Sequence, residues 1–267
     1  MTTFTFDDLN QRYSDYTCSI RCECVFATEM VGGQPADESG VRAYVTHHLK
    51  IADEVEAEKA VQRILHEEVQ SVTPPEGELP EGKLYGLRVI RRGHLGAPYL
   101  GDWMIKANIK QATSRRYIFA QILGTKGAFA EAGRVTAWKY SRLNGEPNHI
   151  YLVDADGMPA PTYFKEFMGR VMTPQGAVSI IHRSECVAAG TRFAYEFQFP
   201  PVQGLGEDAL KDAWTMTMIC GIGSARSLEC GKFRIERMEM ELKKKMNYKP
   251  LKKKKGEEQE EDESEAA

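Results

Sequence analysis

Apolar residues alternate from Tyr16 to Phe26, at Tyr16, Cys18, Ile20, Cys22, Cys24 and Phe26, with Ser, Arg and Glu between them. A period of two over this length predicts a strand with one buried face. Gly32-Gly33-Gln34-Pro35 ends it. The period then changes, and Val41, Tyr44, Val45, His48 and Leu49 fall on one face of a helix. Asp53 followed by Glu56 has the spacing of a capping box, and the helix it opens carries Val61, Ile64, Leu65 and Val69 as its apolar stripe.

Proline, glycine and glutamate crowd the stretch from Thr73 to Lys83, which reads as a loop before a strand at Leu84 to Ile90. A turn-rich segment from Gly93 to Gly101 leads into a helix from Asp102, its expected N-cap, to about Thr113. Short strands are predicted around Arg134–Lys139, Asn148–Val153, Ala177–His182 and Arg192–Phe199, and a helix over Asp208–Met218. The last strand, Lys232 to Leu242, alternates through Phe233, Ile235, Met238, Met240 and Leu242, with a bulge allowed before Met238. Strands at both ends with helices between them predict an α+β fold, an antiparallel sheet with helices on one face. No repeat of 20–50 residues is visible. One domain over residues 1–246 is expected, followed by a tail over 247–267.

Composition adds exclusions. A chain of 267 residues with 42% hydrophobic and 27% charged residues builds a core without staples or metals. No run of about 18 apolar residues occurs, and Met1 to Asp8 lacks a basic and an apolar leader region, so neither a membrane partner nor export is expected and the cytoplasm is the predicted location. Cys18, Cys22 and Cys24 lie in one segment, Cys22-x-Cys24 is too tight for zinc, and Cys186, Cys220 and Cys230 are scattered, so the six cysteines read as buried thiols. Asp154-x-Asp156-Gly157 lacks the further acidic ligands of a calcium loop and reads as a surface turn. No metal and no cofactor is expected.

Charge is uneven. Lysine clusters at Lys243–Lys245 and Lys252–Lys255 precede a run from Glu257 to Glu265 with seven acids and no base. Without that run the net charge of −3 becomes +4, so the body is mildly basic. Such a tail is expected to be disordered and to compete for the body's basic surface.

The most specific feature is Gly221-Ile-Gly223-Ser224-Ala-Arg226-Ser-Leu-Glu229-Cys-Gly231-Lys232-Phe233. It follows a helix and feeds a strand, the reverse of a dinucleotide-binding loop. Glycines there allow positive φ and close approach of a ligand, leaving N–H groups for phosphate oxygens, with Arg226 and Lys232 supplying charge. The order helix, Gly-h-Gly-x5-Gly-h-Gly (h, hydrophobic), strand resembles the signature of the RAMP superfamily, the RNA-binding subunits and processing nucleases of CRISPR complexes. Glu229 stands where that pattern has a glycine. The segment from Pro98 to Lys110 is similar to the family's Pro-Gly-Ser-Ser-Ile-Lys-Gly helix start, and His182 to Phe197 fits the strand pair before the last helix. The resemblance implies a ferredoxin-like (RRM-like) βαββαβ core enlarged by insertions.

It also implies a function: non-catalytic binding of single-stranded nucleic acid, RNA favoured over DNA, by a protein like a CRISPR backbone subunit. Its partners would then be the strand itself together with further copies of the chain or a multisubunit ribonucleoprotein. Candidate contacts are Gly221, Gly223, Ser224, Arg226, Gly231 and Lys232 in the loop, and Lys106, Lys110, Arg115 and Arg116 on the helix from Asp102 and at its end. Arg91, Arg92 and Lys126 are further cations, and Trp138, Tyr140 and Tyr163 further aromatics, while Trp103 is expected in the core. His48 is the candidate general acid or base for an endoribonuclease, but its place on an apolar stripe favours a packed histidine. A phage or mobile-element single-stranded-DNA-binding protein with an acidic regulatory tail, and an assembly protein that binds only protein, are the other readings.

Overall fold

Strand β1 (Cys18–Phe26) has the predicted two faces: Cys18, Ile20, Cys22 and Cys24 are buried, while Ser19, Arg21 and Glu23 are half-exposed. The computed structural model describes residues 17–35, 53–65, 85–93, 96–115, 132–140, 147–173, 176–201 and 206–242, with isolated positions between them. His48, Arg116, Lys126, Val69, the 73–83 loop and the tail lie outside the described residues.

Within the first sheet β1 is central. It pairs antiparallel with β10 (Arg192–Phe199), in register Cys22 to Tyr195, and with β11 (Phe233–Glu241) on its other edge. The expected bulge is present: Glu23 opposes Arg237 and Cys24 opposes Ile235, which leaves Glu236 extra. β6 (Arg134–Ala137) pairs antiparallel with β10, giving the order β11-β1-β10-β6.

Two helices cover one face of this sheet. Ile105 and Ile109 of α2 (Asp102–Arg115) and Leu210, Ala213 and Trp214 of α3 (Glu207–Cys220) share a core with the β1 cysteines and Phe193, Tyr195, Phe197 and Phe199. Each large apolar side chain so buried contributes roughly 1.5–3 kcal/mol, so this two-helix, four-strand layer is where the stability sits. Asp102 is the first helical residue, one position inside the expected cap. The opposite face of the sheet is polar, with Arg21 bonded to Glu196 at 3.0 Å and Lys139 to Glu23 at 2.6 Å.

A second, mixed sheet departs from the all-antiparallel expectation. It contains β2 (Met30–Val31), β3 (Gln34–Pro35), β4 (Tyr85–Val89), β8 (Thr162–Thr173) and β9 (Gly176–Val187), and β4 runs parallel to β9. β8 and β9 form a hairpin of two 12-residue strands, far longer than the predicted Ala177–His182. β8 was invisible in the hydrophobic pattern, and among its described side chains, Thr162 to Met168, none is buried: Tyr163 and Met168 are exposed, and Phe164 and Phe167 half-buried. Backbone pairing with β9, not burial, defines it.

Helix α1 (Glu54–Arg63) is capped as predicted, with Asp53 Oδ1 accepting from the Glu56 amide at 2.8 Å. Val61 and Ile64 pack with Val41, Val45 and Val89 in a satellite core. Two short strands, β5 (Tyr99–Gly101) and β7 (His149–Tyr151), pair antiparallel at the start of α2. All six cysteines are buried and free, and the Asp154 carboxylate closes a turn on the Asp156 and Met158 amides. Among the described residues no helix is long and apolar enough to cross a membrane, and no group of three or more His, Cys, Asp or Glu could hold a metal ion.

Candidate nucleic-acid interface

Helix α3 ends at Gly221, whose φ is 69°, and the loop to β11 turns through Gly223 at 95° and Gly231 at 74°. The glycines serve contact within the protein. A Cβ on Gly231 would lie 1.8 Å from the Ile222 carbonyl oxygen, and one on Gly223 would lie 2.7 Å from that of Val31. The loop amides differ from the sequence expectation for the same reason. Ile222 N–H donates to Gly231, Ser224 to Val31 and Gly231 to Glu29, while Lys232 N–H donates to the Thr28 hydroxyl. These amides are bonded to protein acceptors, so a phosphate would meet side chains at these positions.

Glu229, where the pattern it resembles has a glycine, has φ 67° and therefore occupies the left-handed region that glycine favours. Its carboxylate pairs with Lys232, and its carbonyl accepts from the Thr28 hydroxyl at 2.9 Å. Arg226 opens a short 3-10 turn, is exposed, and donates to the Gln111 side chain on α2. Loop and helix are thus joined across the surface.

Helix α2 sorts its residues by face. Ile105, Asn108, Ile109 and Ala112 are buried, whereas Trp103, Ala107 and Lys110 are exposed and Lys106 half-exposed. Lys106 and Lys110 lie one turn apart, and Arg115 ends the helix. Asn108 was not a sequence candidate, although a polar residue inside the stripe Ile105-x-x-Asn108-Ile109-x-x-Ala112 was a readable sign. Its amide donates to Thr217 and Gly221 carbonyls at 3.0 and 2.8 Å, fixing α2 to the start of the glycine loop.

At the head of α2, Trp103 is 48% exposed, which corrects its expected core burial. Gly101 permits this, since a Cβ there would fall 2.4 Å from the indole nitrogen. The Arg91 guanidinium lies 5.5 Å from the Trp103 ring centre, in cation–π contact, and donates to Gln34 at 2.9 Å. These residues and Gly223-Ser224 border a cleft of about 200 Å³. Arg92 has a different role. It enters a buried ion pair with Glu185, whose other oxygen accepts from the Ile90 amide at 2.8 Å.

Beneath the loop, Glu29 accepts from Lys165 and, at 2.7 Å, from the Tyr163 hydroxyl. The lysine holds the Glu29 carboxyl below its ordinary value, against the effect of burial, and Tyr163 adds to it. Burial, reinforced by the Glu29 charge, pushes the Cys186 thiol up to about 12 and raises that of Cys230. Both thiols stay protonated and unreactive at neutral pH. Trp138 lies on the polar face under Arg21, 5.9 Å from its ring centre, apart from α2 and the loop in sequence and sheet position.

Fold and site define an α+β protein in which a glycine loop, a lysine-bearing helix face and an exposed tryptophan share one surface. No protein-family model matches the sequence, and no curated protein matches it. Among solved structures it is similar to a chain of the Type III-B Cmr-beta complex bound to cognate target RNA, with TM-score 0.45 and 12% identity. That similarity covers 90% of this chain and 66% of the other, just under two thirds of its length.

Proposed function

We propose that this chain binds single-stranded nucleic acid without cutting it, RNA in preference to DNA, as a RAMP-like subunit of a ribonucleoprotein. The observation that carries the reading is the Arg226–Gln111 contact. It joins the exposed loop cation to the helix that carries Lys106 and Lys110, so that one strand backbone can meet all three. Phosphate contacts of this kind hold a strand without reading its bases. The ferredoxin-like core implied by the resemblance is supported by the element order β1, α2, β6, β10, α3, β11 and the strand order β11-β1-β10-β6.

Fluorescence anisotropy with mixed-sequence RNA and DNA oligomers tests this. Affinity is expected to fall steeply with salt, because each neutralised phosphate releases counterions. Absence of binding to both polymers at about 50 mM salt, the low-salt reference for such interfaces, sinks the proposal. Tighter binding of DNA than RNA transfers it to the single-stranded-DNA reading. Deleting residues 257–267 is expected to tighten binding by removing seven competing carboxylates.

A further inference from the structure

The cleft at the head of α2 holds an unmatched donor. Gln34 is 7% exposed, its Oε1 accepts from Arg91 at 2.9 Å, and its buried Nε2 has no hydrogen-bond partner among the described residues. A buried donor without an acceptor is unfavourable, so a ligand that brings an acceptor is held by it. Around it the walls are mostly apolar, with Met30, Ile90 and Leu100 among them. Gly33 and Ser224 meet in its wall, where a Cβ on Gly33 would lie 2.4 Å from the Ser224 hydroxyl. At about 200 Å³ the cleft is smaller than the roughly 300–1,000 Å³ of pockets for drug-sized ligands. Its rim carries the half-exposed Trp103 indole in contact with Arg91.

An apolar slot with a π-surface and one amide donor suits a neutral flat heterocycle with an acceptor on its edge. A bare phosphate would lose its water against apolar walls. We propose that this cleft takes one unstacked nucleobase of the bound strand, laid against the Trp103–Arg91 pair with its acceptor edge on Gln34 Nε2. The inference rests on the strand-binding reading above and deepens it: the cations of α2 and the loop hold phosphates, and the cleft beside them holds a base. Trp103 lies one helical turn before Lys106, so a strand along α2 passes the mouth of the cleft.

The test measures the full chain against an RNA oligomer and the same oligomer with abasic positions throughout. Trp103→Ala and Gln34→Met are each expected to weaken binding of the intact strand about tenfold, the scale of one lost base contact. The salt slope should not change, because no phosphate contact is lost, and abasic binding should be equal in parent and variants. Trp103→Phe, which keeps a ring, should retain most of the affinity. If the parent binds the intact strand and Trp103→Ala binds it equally well, the base pocket is wrong while strand binding stands. If the parent binds neither strand at low salt, the strand-binding reading fails and the pocket with it. Trp103 is half-exposed, so its variants decide the matter even where Gln34→Met does not fold.

Discussion

Asn108, buried on α2, donates its side-chain amide to the Gly221 carbonyl at 2.8 Å, just past the last turn of α3. The same amide reaches the Thr217 carbonyl at 3.0 Å, which also accepts from the Gly221 N–H at 3.1 Å, so one side chain reinforces the last bond of the helix and satisfies the carbonyl that follows it. It also sets where the glycine loop leaves the helix relative to the lysines of α2.

Removing that link should be felt in stability first. Asn108→Ala is expected to destabilise the fold by about 1–3 kcal/mol, the range for a buried polar group left without its partner. Urea unfolding measures it. Strand affinity should fall as well, although no cation has been touched. An unchanged urea midpoint would show that the Gly221 carbonyl finds another donor.

The charges of the loop should separate by their protein partners. Arg226→Ala is expected to weaken binding similarly across sequences and to lower the salt slope by about one unit, as loss of one phosphate contact does. Lys232→Ala should do less, because Glu229 already neutralises that lysine. Glu229→Gly removes this competitor from a residue with φ 67°. Its stability should therefore be kept or raised, and its affinity increased. Equal effects of Arg226→Ala and Lys232→Ala would contradict this order.

Glu185 and Arg92 make a buried pair whose loss should be severe. The Glu185 side chain is 0% exposed and that of Arg92 13%. Glu185→Ala strands a guanidinium in the interior and is expected to destabilise by about 3–5 kcal/mol. Thermal and urea unfolding read this directly, and a loss below about 1 kcal/mol, the scale of a surface pair, would mean that Arg92 reaches solvent.

Glu29 predicts a pH dependence of defined sign. Its carboxyl is held below the ordinary glutamate value in the folded protein, chiefly by Lys165. A depressed folded value adds stability above the unfolded value, and that stability is lost as pH falls through the folded one. The stability difference between parent and Glu29→Gln should therefore be largest at neutral pH and shrink as pH drops below the ordinary glutamate range. Denaturant midpoints from pH 7 down to about pH 3 follow it, and a difference independent of pH would remove Glu29 from the acid response.

Much of this arrangement is written in local pattern. The alternation of Cys18, Ile20, Cys22 and Cys24 specified β1, Asp53 and Glu56 specified the start of α1, and the period break at Met238 located the bulge at Glu236, because each depends on neighbours within a few residues. The positive φ at Gly221, Gly223 and Gly231 was legible for the same reason. Other features depended on tertiary packing. β8 has no buried side chain among those described, Thr162 to Met168, and is defined by its pairing with β9. Trp103 reads as a core residue until Gly101 and Arg91 are seen to hold it at the surface. The loop amides read as open donors until Val31 and Glu29, some 190 to 200 residues earlier in the chain, are found accepting from them. Local sequence sets period, caps and turn conformation, because these are short-range properties of the backbone. Which side chains converge on one surface is decided by strand order and by which helix face lies on the sheet, and those are fixed only when the whole core closes.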